Sequence, residues 1–141
     1  MRPHFHPGLQ RSDSRLSLAN QHPRRQELAA LLSQLVLLGP DIHVVGASWL
    51  YNLGAYRRLF AQRYLDLLKP IEPPYQRLPL WGQFLHRDRS VRTVAAQGFR
   101  TQLAQATTLE ELRSCFPFPV LSAAAPAAWL LPQVGDERSE R

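Results

Sequence analysis

The sequence of 141 residues has one cysteine, Cys115, so it cannot close an internal disulfide. Small secreted domains usually carry several cysteines, and a reducing, cytoplasmic setting is expected instead. Lysine is equally scarce, with Lys69 alone against sixteen arginines. No long hydrophobic run is present. The longest stretch, Leu28 to Leu38, is interrupted by Ser33 and Gln34 and falls far short of the ~20 apolar residues a membrane span requires. Residues 1 to 25 hold five arginines and no apolar run of signal length, so neither a secretory signal nor a membrane partner is expected. Paired cysteines, an H-E-x-x-H pattern and a Walker loop are all missing, and no cofactor or metal is assigned. His4, His6 and His22 lack cysteine or carboxylate partners at ligand spacing. Ser48, Ser90 and Ser114 have no accompanying histidine and acid at a recognisable elbow, and no catalytic residue is assigned.

What the sequence does contain is enough apolar material, 45% of residues, for a real core, because a chain of this length can bury roughly two-thirds of its unfolded surface. Leu28, Leu31, Leu32, Leu35 and Leu38 repeat at helical spacing and predict a helix from Pro23 to Leu38, closed by Gly39-Pro40. The β-branched run Asp41 to Ala47 predicts a strand. Ser48 is a good N-cap for a second helix from Trp49 to Phe60, followed by a short helix from Gln62 to Leu68. The proline-rich stretch Lys69 to Pro79 reads as an extended connector. Leu78 to Leu85 fits either a short strand or a helical turn. Val91, Val94, Ala95, Phe99, Leu103 and Ala106 define a further helix, and Thr107 with Glu110 suggests a capping box for the next. Val120 to Pro132 is a mildly apolar Ala/Pro segment that either docks on the core or trails off. The fold class expected is α+β, mainly helical, with amphipathic helices packed on a few short strands. A flexible basic arm is expected at residues 1 to 22, one globular domain at 23 to 132 and a flexible tail at 133 to 141.

Two stretches break local rules. Asn52 and Gly54 both sit inside the expected second helix, although asparagine prefers turns and glycine costs about 1 kcal/mol there relative to alanine. Such conflicts mark either close packing or function. The start of that helix would present unpaired N–H groups to an anion, with Ser48, Tyr51, Asn52, Arg57 and Arg58 around it. Arginine suits a carboxylate or phosphate because its planar fork bonds two oxygens at once. Trp81, Gln83 and His86 form the second stretch and could supply a cleft wall. His86 could act as an acid or base, so an enzyme is left open if it faces that cleft.

Gly46-Ala47-Ser48-Trp49-Leu50-Tyr51-Asn52-Leu53, with Ala55-Tyr56-Arg57-Arg58-Leu59-Phe60, resembles a block in uncharacterised bacterial hypothetical proteins, and Leu80 to Leu85 resembles a second block of that pattern. The resemblance covers residues 40 to 120. It implies that both blocks belong to one site, and it implies no activity. It leads one to expect proline near Ala61 and glycine near Arg89, where this sequence has neither.

The net charge of +6 is concentrated at the N-terminal end. Three partners follow from these readings. The leading one is a small anionic ligand, bearing phosphate or carboxylate, at the Ser48 helix start. The second is nucleic acid, bound weakly through Arg11, Arg15, Arg24 and Arg25. The third is a protein, docked on Val120 to Pro132. The sequence sets no oligomeric state.

Overall fold

The leucine spacing of the first helix is realised. In the computed structural model, which describes residues 16–39, 41–71, 79–86 and 88–130, helix α1 runs over Leu18–Leu38. Leu28, Leu32 and Leu35 form its buried stripe, while Leu38 is exposed. The helix starts five residues earlier than expected and carries Pro23 in its second turn. Residues 1–15 of the expected arm and the expected tail at 133–141 lie outside the described residues, as do Pro40, residues 72–78 of the connector and Arg87.

The chain divides into two compact units. The first joins residues up to Lys69 with those from Leu121 onward, and the second is Pro70–Val120. The first unit is built on strand β1 (His43–Ser48), which pairs antiparallel with β3 (Leu121–Pro126) in the register Val44 opposite Ala125 and Gly46 opposite Ala123. A two-residue strand β2 (Lys69–Pro70) completes a sheet of order β1-β3-β2. The short helices α2 (Gly54–Arg57) and α3 (Gln62–Leu65) bring Tyr56, Leu59, Phe60, Tyr64 and Leu65 into the core with Tyr51 and Leu130.

The expected helix from Trp49 to Phe60 is broken in two. A 3₁₀ turn covers Trp49–Asn52, Leu53 is extended at φ −94° and ψ 122°, and α2 begins at Gly54. Asn52 explains the break, since its Nδ2 donates to the Trp49 carbonyl at 2.7 Å and closes the turn on itself. The segment Val120 to Pro132 is not a trailing end. Up to Leu130 it forms β3 and a 3₁₀ turn at Ala127–Trp129, with Ala123, Ala125, Ala127 and Leu130 buried.

In the second unit, a 3₁₀ helix spans Leu80–Phe84, and α4 (Thr93–Leu103) and α5 (Leu109–Ser114) follow. The capping box lies one residue later than expected: Thr108 Oγ1 accepts from the Glu111 N–H, and the Glu111 carboxylate accepts from the backbone of Thr107 and Thr108. This mixture of short helices and a small sheet is an α+β fold, mainly helical. No helix among the described residues is long and apolar enough to cross a membrane.

Both positions where the family resemblance expects a different residue adopt the backbone that residue favours. Ala61 has φ −66°, which proline also holds. Arg89 has φ 70°, the left-handed region where glycine is most at home. The turn there is closed by Arg89 N–H to the His86 carbonyl at 3.1 Å and His86 N–H to the Ser90 carbonyl at 2.8 Å. Asp88 Oδ1 accepts from Ser90 N–H and Oγ.

Candidate functional site

The candidate residues fall in both units. Ser48, Tyr51, Asn52, Arg57 and Arg58 belong to the first, and Trp81, Gln83 and His86 to the second. Ser48 Oγ accepts from Leu50 N–H at 3.1 Å, as an N-cap should. The turn it caps is four residues long. The aligned peptide dipoles that make a long helix start attractive to an anion are therefore lacking here. Asn52 is spent on the Trp49 carbonyl.

Tyr51 points inward. It is 2% exposed, and its Oη shares a hydrogen bond of 2.9 Å with Tyr64 Oη. Tyr56 and Phe60 pack edge-on or tilted against it with ring centroids 5.2 and 5.6 Å away. Burial pushes the Tyr56 phenol up to about 12, and burial together with the Tyr64 hydrogen bond pushes Tyr51 higher still. Both hydroxyls stay protonated under physiological conditions. The space they fill is made by Gly46, where a Cβ would collide with the hydroxyls of both Tyr51 and Tyr64. Tyr64 had no functional signal in the sequence, and Gly46 entered only as the first residue of the resemblance block. Tyr51 and Tyr56 fall on different faces of an unbroken helix, so they meet only because the chain is broken at Leu53.

Arg57 is exposed and Arg58 half-buried. Neither guanidinium has an ion pair among the described residues. Arg25 of α1 reaches the same corner, its Nε donating to the Arg58 carbonyl at 2.8 Å. Arg24 pairs with Glu27. Arg11 and Arg15, the other arginines of the nucleic-acid reading, lie outside the described residues.

In the second unit Gln83 is 1% exposed and wholly committed. Its Oε1 accepts from Phe118 N–H at 2.8 Å and its Nε2 donates to the Phe118 carbonyl at 3.2 Å. Arg92 donates to the Gln83 carbonyl at 3.2 Å. His86 is exposed, with its backbone in the turn at Arg89. Trp81 differs from all of these. It is 65% exposed, yet it rests on three phenylalanines, with centroids at 6.0 Å to Phe84 and 5.7 Å to both Phe99 and Phe116. Those three rings also touch one another at 5.0 to 5.9 Å. The sequence pattern put Phe99 on a helix face and joined neither it nor Phe116 to Trp81.

Beside this cluster α4 and α5 border an open recess of about 440 Å³, lined by Gln102, Gln105, Ala106, Glu111, Ser114 and Cys115. Cys115 is buried and its thiol donates to the Glu111 carbonyl at 3.3 Å. It behaves as a small interior group. Among the described residues no cluster of His, Cys, Asp or Glu could hold a metal ion. Comparison with protein-family models, with curated proteins and with solved structures gives no match.

Proposed function

We propose that the protein is an interaction module and that the aromatic face of the second unit is its docking surface for a protein partner. The observation that carries this reading is Trp81, largely in solvent on a bed of Phe84, Phe99 and Phe116. The surrounding elements add to it. Helices α4 and α5 bury none of their residues, and Val91, Val94, Leu103 and Leu109 are exposed. Exposed large apolar side chains in this number are a common accompaniment of a binding face, and tryptophan is the side chain most enriched where binding energy concentrates. The segment first expected to dock a partner, from Val120 onward, is taken up in β3 and the 3₁₀ turn after it as far as Leu130, so the interaction reading moves from it to this face.

A photo-reactive phenylalanine at position 81, introduced in the native host, should give one discrete protein adduct. The same group at the exposed Gln26 of α1 should not. Against the captured partner, Trp81→Ser should weaken binding about 30-fold, the effect of losing a hot-spot contact of about 2 kcal/mol. Equal labelling from both positions would remove the basis of the reading.

A second reading keeps the small anionic ligand and places it at Arg57 and Arg58 rather than at the Ser48 turn. It is favoured by Arg57 and Arg58, neither of which has an ion pair among the described residues, on a segment whose Arg58 carbonyl accepts from Arg25 Nε. Inorganic phosphate or citrate at ten times its Kd should raise stability by about 1.4 kcal/mol. Thermal melting should show that rise in the wild type and lose it in Arg58→Ala. The same shift in both proteins, or none in either, would count against it.

A further inference from the structure

The sheet of the first unit has two edges, and they differ. One edge is β2, two residues long, carrying a lysine and a proline. Short length, lysine and proline are the usual means of keeping an edge from pairing with another chain. The other edge is β1, six residues long, with the sequence His-Val-Val-Gly-Ala-Ser. It has no proline and no Asp, Glu, Lys or Arg.

The direction of its hydrogen bonds can be worked out. Ala127 N–H donates to the Ile42 carbonyl at 2.9 Å, one step beyond the pair His43 opposite Pro126. In an antiparallel ladder the residues that exchange bonds alternate. Ile42, Val44, Gly46 and Ser48 therefore face β3, and His43, Val45 and Ala47 turn their N–H and carbonyl groups away from it. Pro126, which has no N–H, sits opposite His43, where none is called for. No hydrogen bond to the outward backbone groups of Val45 or Ala47 is found among the described residues. The faces of the strand alternate as well: Val44 and Gly46 are buried, while His43 is exposed and Val45 is 46% exposed.

We infer that this edge pairs with a second copy of the chain, β1 antiparallel to β1, to make a continuous six-stranded sheet. The occupant follows from self-complementarity. A register centred on Val45 sets Val45 against Val45 and His43 against Ala47 of the second copy, with every outward N–H facing an outward carbonyl. A strand without charged side chains opposes no like charges in that arrangement. The exposed valines become a cross-strand β-branched pair, the favourable kind. The two-fold symmetry closes the assembly at a dimer, because each chain has one open edge and the other is blunted. This inference rests on the first unit and is independent of the Trp81 surface.

Sedimentation equilibrium of the full chain from about 1 to about 300 µM should show a monomer–dimer equilibrium. Val45→Lys, which puts a charge on the edge, should raise the dimer Kd about a hundredfold or more, with the far-UV circular dichroism unchanged. Amide exchange on the unaltered protein gives a second test that no folding defect can confuse. Exchange at Val45 and Ala47 should slow about tenfold or more as the concentration rises, while Gly46, already in the ladder, should not respond. A wild-type chain that stays monomeric throughout, a Val45→Lys protein that dimerises equally well, or exchange at Val45 and Ala47 that ignores concentration would each overturn the inference.

Discussion

Replacing Gly46 by alanine should lower stability by about 3 kcal/mol, seen as a fall in the urea midpoint of the first unit. A Cβ at this position meets the Tyr51 and Tyr64 hydroxyls. Neither ring can retreat cheaply, because Tyr51 is 2% and Tyr64 0% exposed. Overpacking of this kind costs about 1 to 3 kcal/mol. Separating the two hydroxyls leaves buried polar groups unpaired, at about 1 to 3 kcal/mol more. Gly54→Ala is the control. It meets nothing within 4 Å, and it should be neutral or stabilising by up to about 0.5 kcal/mol. Adding Tyr51→Phe to Gly46→Ala should recover part of the loss, since removing one hydroxyl makes room for the methyl group. The two substitutions share a contact and should therefore be non-additive.

Gln83→Leu should destabilise the second unit by about 2 to 3 kcal/mol, followed by thermal melting and by amide exchange within residues 79 to 120. The amide side chain satisfies both backbone groups of Phe118, and leucine can satisfy neither. The loss of both of these hydrogen bonds accounts for the larger part of that figure. The volume is nearly conserved, so packing contributes little. A melting temperature equal to that of wild type would mean that water replaces the amide and that the site is more open than its 1% exposure indicates.

Those two residues show what could be read in advance and what could not. The leucine stripe of α1 and the β-branched run of β1 were legible because periodicity is a local signal. The strand β3 was not. Leu-Ser-Ala-Ala-Ala-Pro has weak strand preference, and its buried Ala123 and Ala125 belong to the same core cluster as Tyr51, Tyr56, Phe60 and Tyr64. Only the tertiary structure supplies that link. Gln83 was picked out as a polar group for a cleft, yet it is a backbone brace. Its partner, Phe118, is thirty-five residues away and cannot be guessed from spacing. Asn52 and Gly54 were read as a conflict within one helix. The conflict was real, and the chain resolves it by breaking the helix between them. The missing glycine near Arg89 put a tight turn there in doubt, yet the turn forms with Arg89 itself at positive φ.

The order in which the first unit is assembled has a consequence for synthesis. Its central strand, β3, is the last of the three in the chain, and residues 71 to 120 lie between β2 and β3. A chain emerging from the ribosome makes α1, β1 and the tyrosine-bearing helices first and must hold them without the strand that joins β1 to β2. During that interval β1 lacks its partner on both sides, and the nascent sheet is most open to chaperones and to mispairing. Closure then comes late and in one step, when residues 121 to 130 arrive, which predicts slow folding for so helical a protein.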